Sequence, residues 1–215
     1  YHMSNRGGVA YPKDGGSVYV TGGTLTTETS SVLAGNNTTE ENNFFISGGE
    51  ITSGKANAVY MPGQGTLEIS GGTLTGGISA RMGQINITGG TINAQTATST
   101  LDNISDYYNY SGDAWIGDAI YIWGGTYTST SSKGNSCSLN ISENVIINGG
   151  SQTAVAIYKI GNNYDQVITV TYPENSNHIT NGAKGGVKVY SGDEIKSGYT
   201  AAKNVSITIN GQSQQ

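Results

Sequence analysis

The sequence has few charged residues and no long apolar stretch. Only 12% of its 215 residues are charged, the net charge is −5, and the only arginines are Arg6 and Arg81. A nucleic-acid-binding surface needs clustered basic side chains that displace phosphate counterions, so the composition argues against a nucleic-acid partner. No run approaches the roughly eighteen apolar residues that span a bilayer, which argues against insertion in a membrane.

Cysteine is nearly absent as well. Cys137 is the single cysteine, which excludes an internal disulfide and a multi-cysteine zinc site. Neither His2 nor His178 is near it in sequence, and we expect Cys137 to be a structural residue. Residues 1–4, Tyr-His-Met-Ser, look like a cloning remnant, and we treat residues 1–215 as one domain.

In place of charge and cysteine, the sequence has 33 glycines and one recurring phrase. It reads VYVTGGTLT at 18–26, FFISGGEIT at 44–52, LEISGGTLT at 67–75, INITGGTIN at 85–93 and IYIWGGTYT at 120–128, with LNISENVII at 139–147 in the same frame. The shortest interval between first glycines, from Gly71 to Gly89, is 89 − 71 = 18 residues. A repeat of this length, made of short alternating strands, predicts stacked β-coils.

Alternation along each phrase predicts which side chains face inward. Three columns follow: Val18, Phe44, Leu67, Ile85, Ile120 and Leu139; Val20, Ile46, Ile69, Ile87, Ile122 and Ile141; and Leu25, Ile51, Leu74, Ile92, Tyr127 and Ile146. Each column is almost entirely aliphatic and predicts a thin, continuous core. The double glycine predicts a corner, because glycine tolerates positive φ and a close approach between successive coils.

The phrases ISGGTLTGG and INITGGTINA resemble right-handed parallel β-helix proteins of the pectate-lyase-like superfamily. They are similar to polysaccharide-binding or adhesin-like repeat domains of secreted bacterial surface proteins. The resemblance implies an all-β, right-handed parallel β-helix solenoid, for which we count about eight coils. It also implies an extracellular location, secreted or attached to the cell surface, as part of a larger protein.

Catalytic members of that superfamily use a calcium-holding acidic cluster with an arginine or lysine base, or paired carboxylates. Arg81 is the only arginine within the repeats, and the nearest acid is Glu68, one coil earlier. This departure from the catalytic pattern favours a non-catalytic protein.

An insertion at residues 94–118 is the main irregularity of the repeat and contains LDNISDYYNYSGDAWIGD. Long loops on a rigid scaffold often carry binding sites. Aromatic rings that stack on sugars, beside carboxylates that contact hydroxyls, predict a ligand site here. Its residues are Tyr107, Tyr108, Tyr110, Asp113, Trp115, Asp118, Tyr121 and Trp123, the last two on the outward side of the following strand. Two alternatives are a local mini-core and a partner interface.

The acidic residues of the insertion allow other interpretations. Asp113 and Asp118 could form the acid and base pair of a glycoside hydrolase. Ca²⁺ could bind through the oxygen ligands of Asp102, Asp106, Asp113 and Asp118, or these carboxylates could be solvated turn residues. We assign no catalytic residue and no resident cofactor, and we keep Ca²⁺ as an open alternative.

Two outward-facing columns offer further sites. The first is a threonine ladder formed by Thr24, Glu50, Thr73, Thr91 and Thr126 with Thr26, Thr52, Thr75, Asn93 and Thr128, similar to ice-binding solenoids. Threonine also pairs well with itself along any β-ladder, which explains the pattern without a ligand. The second is an aromatic stripe of Tyr60, Arg81, Tyr158 and Tyr190 with Trp115 nearby.

Together these features predict a non-catalytic, extracellular carbohydrate-binding or adhesin module that recognises polysaccharide or host glycan. One alternative is a polysaccharide lyase or glycoside hydrolase fragment. Another is a structural stalk or phage-fibre segment, in which unpaired edge strands would associate end to end.

Overall fold

The structure is a computed structural model of the chain. It describes residues 8–12, 14–36, 40–95, 117–125, 134–159, 164–174, 179, 181–183, 185–191, 194 and 201–214. Eighteen β-strands lie in these ranges and no α-helix does.

The early strands are β1 (Gly16–Thr27), β2 (Leu33–Ala34), β3 (Asn42–Ser53), β4 (Val59–Met61), β5 (Thr66–Ile69), β6 (Thr73–Thr75), β7 (Ile78–Ala80), β8 (Gly83–Ile87) and β9 (Gly90–Asn93). The later strands are β10 (Ile120–Gly124), β11 (Cys137–Ile141), β12 (Val145–Gly150), β13 (Thr153–Lys159), β14 (Gln166–Thr171), β15 (Asn181–Gly182), β16 (Gly185–Ser191), β17 (Val205–Ile209) and β18 (Gln212–Gln214).

The strands form three parallel ladders. The first ladder runs from the front half of β1 and of β3 through β5, β8, β11 and β14 to β17. The second runs from the back half of β1 and of β3 through β6, β9 and β12 to β15. The third contains β2, β4, β7, β10, β13 and β16. Consecutive strands, one from each ladder, therefore make a unit that stacks on the next unit.

The predicted all-β class with parallel strands is confirmed. In the described part of the chain, the one antiparallel pair is that of β17 with β18. The first ladder has seven strands here, and the count of about eight coils is not confirmed within the described ranges.

The inward columns of the early units are confirmed by the strand register. Phe44, Leu67 and Ile85 lie side by side, as do Ile51, Leu74 and Ile92, and all six side chains are fully buried. Burial of apolar surface stabilises by roughly 25 cal/mol per Å². The columns therefore join the three ladders through one apolar core.

The predicted columns are wrong at the phrase that begins at Ile120. β10 belongs to the third ladder, where Ile120 pairs with Ile78 and Val155, whereas Leu139 is the neighbour of Ile85. The alternation of apolar and polar residues does not show to which ladder a strand belongs. IYIWGG also has the same pattern as the phrases that begin a unit.

The third column is also shifted by one residue at β12. Ile147 pairs with Ile92 and is fully buried, whereas the predicted Ile146 pairs with Thr91 and is 40% exposed. A shift of one residue moves a side chain to the other face of a strand. Tyr127 lies outside the described residues.

The double-glycine corners hold successive units in close contact. A Cβ atom on Gly89 would lie 2.6 Å from the carbonyl oxygen of Ser70, and one on Gly71 would lie 2.6 Å from that of Ser47. Such distances are too short for a carbon next to a backbone oxygen, so any larger residue would push two units apart. Close approach of the backbone therefore explains why these positions are glycine.

Candidate functional site

Most of the aromatic site predicted in the insertion lies outside the described residues. This is the case for Tyr107, Tyr108, Tyr110, Asp113 and Trp115. Their role in ligand binding stays a prediction.

The remaining three residues of that site are buried. Tyr121 and Trp123 are on the outer side of β10, opposite the inward-facing Ile120 and Ile122, but their exposed fractions are only 1% and 0%. The solvent-facing position expected from alternation is therefore wrong for both rings. β10 is covered on both faces, as strands of parallel sheets commonly are.

Asp118 links neighbouring strands in this buried region. Its Oδ1 accepts a hydrogen bond from the backbone N–H of Thr153 at 2.8 Å, and its Oδ2 accepts one from the hydroxyl of Tyr158 at 2.5 Å. Burial, and next the nearby Asp118 carboxylate, raise the pKa of the Tyr158 hydroxyl, so this group stays protonated and can donate. The bonds of Asp118 fix the edge of β10 against β13.

The predicted aromatic stripe is buried and has a different membership. Tyr158 pairs directly with Tyr190, and their rings stack at 5.1 Å with an interplanar angle of 11°. Trp123 pairs with Tyr158 and its ring centroid is 5.0 Å away. Tyr60 belongs to the adjacent column, because it pairs with Ser79. We call Tyr121, Trp123, Tyr158 and Tyr190 the buried aromatic cluster, and its packing is that of a structural core.

A groove lies instead on the outer face of the first ladder, with a volume of about 290 Å³. This volume is close to the lower end of the range of small-molecule sites. The strands β1, β3, β5 and β8 each contribute to its lining, which consists of Tyr19, Thr21, Phe45, Ile46, Ser47, Glu68, Ile69, Ser70, Asn86 and Thr88. We call it the first-ladder groove.

An aromatic pair forms one end of the groove. Tyr19 and Phe45 are paired residues of β1 and β3, and their rings stack at 4.9 Å with an interplanar angle of 13°. Tyr19 is 69% exposed, the largest exposure among the large apolar side chains of the described residues. Because Tyr19 covers one face of Phe45, the other face of the Phe45 ring is directed toward β5.

Polar side chains continue the same column beyond Phe45. Glu68 pairs with Phe45, Asn86 pairs with Glu68, and Asn140 pairs with Asn86. The amide of Asn140 donates from Nδ2 to Oδ1 of Asn86 at 2.9 Å, which orients the Asn86 side chain. Within the described ranges, the Glu68 carboxylate and Nδ2 of Asn86 make no hydrogen bond. Across the strands, the groove thus presents the apolar ring of Phe45, the hydrogen-bond acceptors of Glu68 and the donor of Asn86, in that order.

The charge of the groove has one sign. Glu68 is its only charged lining residue, and the whole chain has a net charge of −5. A carboxylate that is exposed beside an aromatic ring repels anionic ligands and accepts hydrogen bonds from hydroxyl groups. The groove therefore suits a neutral, hydroxyl-rich ligand.

The sequence contains a pattern that indicates this groove, although alternation alone does not show whether an outward side chain is exposed. Tyr19 and Phe45 occupy outward positions of the first two phrases, in which outward residues are otherwise polar. An outward aromatic residue repeated at the same place in two consecutive phrases is the pattern that identifies the groove.

The threonine ladder is confirmed over its first four levels. Thr24, Glu50, Thr73 and Thr91 form one column, and the next residue along it is Ile146. In the companion column, Asn148 donates to Asn93 at 2.8 Å. Thr126 and Thr128 lie outside the described residues. The interruptions at Glu50 and Ile146 leave no continuous threonine array in the described part of these columns.

Metal ligands do not converge in the part of the chain that the structure describes. No group of three or more His, Cys, Asp or Glu side chains meets there. Asp102, Asp106 and Asp113 lie outside the described residues, so the Ca²⁺ hypothesis stays a prediction. Over the same described ranges, no helix has the length and apolar composition needed to cross a bilayer.

Comparison with known proteins identifies no relative. No protein-family model matches the chain, and the comparisons with curated proteins and with solved structures find no match.

Proposed function

We propose that the chain is a carbohydrate-binding module that binds a neutral glycan in the first-ladder groove. The main support is the stack of the exposed Tyr19 on the half-buried Phe45, which lies next to the carboxylate of Glu68 and the amide of Asn86. A sugar ring has apolar C–H faces that pack on aromatic rings and hydroxyl groups that need polar partners. Both kinds of contact are available side by side in this groove.

Binding without catalysis is supported by the carboxylates of the groove. Glycoside hydrolysis uses two carboxyl groups that flank the scissile bond. Among the groove's lining residues, Glu68 is the only carboxylate. Of the two aspartates considered as a catalytic pair, Asp118 is buried and engaged by Thr153 and Tyr158.

The scaffold that we propose for this module is a right-handed parallel β-helix. Support comes from the three ladders, in which each unit pairs with the next through parallel strands at equivalent positions. Right-handedness is the general rule for connections between parallel strands. Resemblance of the repeated phrases to secreted bacterial repeat proteins supports an extracellular module of a larger surface protein.

The proposal is tested by affinity electrophoresis in gels that contain β-glucan, xylan, glucomannan or polygalacturonate. We expect at least one neutral polymer to retard the chain and polygalacturonate to leave it unaffected, because the carboxylate of Glu68 repels uronates. The variant Phe45→Ala should weaken binding at least about tenfold, which corresponds to roughly 1.4 kcal/mol.

Tyr164→Ala is the matched control, since Tyr164 is an aromatic residue that is 44% exposed and does not line the groove. It should be retarded like the unmodified chain. Equal losses in both variants, or unchanged retardation in Phe45→Ala, would contradict the proposed site. The ligand role predicted for the residues around Trp115 is supported instead if Phe45→Ala binds normally and Trp115→Ala does not.

A further inference from the structure

The outer edge of β1 has no strand partner in the part of the chain that the structure describes. β1 pairs with β3 along one edge, whereas the opposite edge of its twelve residues pairs with no described strand. At the far end of the first ladder, β18 pairs with β17 and covers its edge. β1 also has neither a charged residue nor proline, which are common protections of exposed edge strands.

The core is less well covered at this end. Val18 and Leu25 are only partly buried, whereas Phe44 and Ile51, their neighbours in the next unit, are fully buried. The inward columns therefore continue up to β1 but lack a layer above it.

Gly22 gives the most specific indication of what this layer is. The equivalent residues Gly48, Gly71 and Gly89 each face a carbonyl oxygen of the preceding unit, with Cβ distances of 2.6 to 2.7 Å. Gly22 is outside the left-handed region and has no atom within 4 Å of its Cβ position. Glycine within a strand costs roughly 0.5–1 kcal/mol relative to alanine. Nothing in the described chain requires glycine at this position, whereas a unit stacked above β1 would require it.

Residues 8–10 show where that unit would join the chain. Ala10 pairs in parallel with Leu33, just as Leu33 pairs with Val59 in the next unit. Residues 8–10 thus occupy the place of a third-ladder strand one level above β2. A second copy of the chain could instead stack its β1 on this β1. The β2 strand of that copy would then need the position that residues 8–10 occupy, so these residues disfavour such a dimer.

We infer that the outer edge of β1 is an interface for a further unit that has the same order of strand, double glycine and strand. Its first two strands pair with the two halves of β1, and residues 8–10 are its third strand. A carbonyl group of this unit lies over Gly22 in the way that Thr21 lies over Gly48.

The inference is tested by building such a unit from the protein's own sequence. Residues 1–7 are replaced by a copy of residues 66–75, TLEISGGTLT. In the original sequence Gly76 follows this stretch and lies two residues before Ile78 of the third ladder. Gly8 likewise lies two residues before Ala10, which occupies the equivalent position one level above β2. The copy therefore joins the chain in register. We expect the amides of β1 to exchange with solvent at least about tenfold more slowly than in the original chain. A prefix of the same ten residues in shuffled order is the control and should give no slowing.

Gly22→Ala provides the second measurement. In the original chain it should leave the urea midpoint unchanged or raise it slightly, because alanine is favoured over glycine in a strand. In the extended chain it should lower the midpoint, since only there does a carbonyl group lie over residue 22. Three results would overturn the inference. They are unchanged exchange of the β1 amides, an equal effect of Gly22→Ala in both chains, and faster exchange of the β8 amides in the extended chain. Protection of β1 that rises with the concentration of the original chain would also overturn it, because a second copy would then be the occupant.

Discussion

At the scale of single residues, Trp123 packs in the buried aromatic cluster between Tyr121 and Tyr158. Its side chain is fully buried, so its truncation removes a large apolar volume from a closed site. We expect Trp123→Ala to lower the free energy of unfolding by about 3–5 kcal/mol in urea titrations.

Tyr19→Ala is the comparison for this change, because it removes a ring that is 69% exposed. It should cost about 1 kcal/mol or less, mainly through the lost stack with Phe45. A Trp123 variant as stable as the Tyr19 variant would contradict the structural role of the cluster.

Glu68 gives a second test at this scale. Hydrogen bonds to a charged acceptor contribute about 1.5–3 kcal/mol, compared with about 0.5–1.5 kcal/mol for neutral ones. Glu68→Gln should therefore weaken binding of the retarding neutral glycan about threefold to tenfold in calorimetric titrations. Glu50→Gln removes an exposed carboxylate of the second ladder and should bind normally. Equal affinities of the two variants would exclude Glu68 from the site.

Cys137 is a buried residue of the core, where burial raises the pKa of its thiol from 9.0 to about 12. The folded protein therefore keeps this proton to higher pH than the unfolded chain does. The resulting stabilisation is present below the unfolded pKa and is lost as the pH rises from about 9 to 12. We expect the free energy of unfolding to fall more steeply over this interval in the original chain than in Cys137→Ala. Identical slopes, or rapid reaction of the folded protein with a thiol reagent at pH 9, would contradict burial of Cys137.

At the scale of the structural element, the double-glycine corners determine how closely the units stack. Gly89→Ala places a methyl group 2.6 Å from the Ser70 oxygen, whereas Gly22→Ala places it in open space. Neither residue has a left-handed φ, so the pair isolates the effect of close approach. We expect Gly89→Ala to destabilise by about 1–3 kcal/mol and Gly22→Ala to change stability by less than about 1 kcal/mol. Equal effects in urea unfolding would show that close approach does not matter at these corners.

The strands of the first two ladders were predictable because their phrases share one pattern of alternation and corner. Leu67 and Ile85 recur 18 residues apart at the same place in the phrase, with no insertion between them. The third ladder has no such marker. Its strand β10 follows the insertion and carries a Gly-Gly pair of its own, so the pattern assigned Ile120 to the wrong ladder.

The site was less predictable than the strands. An aromatic residue on the outer side of a strand is exposed on the first ladder and covered on the third, as Tyr19 and Trp123 show. Local alternation reports only which side of the strand a residue occupies. Whether another part of the chain covers that side depends on contacts distant in sequence.

At the scale of the whole molecule, the three ladders share one apolar core but differ in their outer faces. The third ladder buries aromatic rings and Asp118, whereas the first places the exposed Tyr19, the half-buried Phe45 and the exposed Glu68 along one outer column. Stacked β-units hold these side chains on rigid strands at the strand spacing of about 4.8 Å. Rigid presentation reduces the entropy that is lost when an extended ligand binds.

The location of the glycan site is tested most directly by NMR titration of the ¹⁵N-labelled chain with cellohexaose, xylohexaose and laminarihexaose. We expect the binding oligosaccharide to shift the backbone amides of residues 19–21, 45–47, 68–70 and 86–88, all of which belong to the strands and corners that line the first-ladder groove. Shifts centred on residues 117–125 with none in the groove would contradict this location.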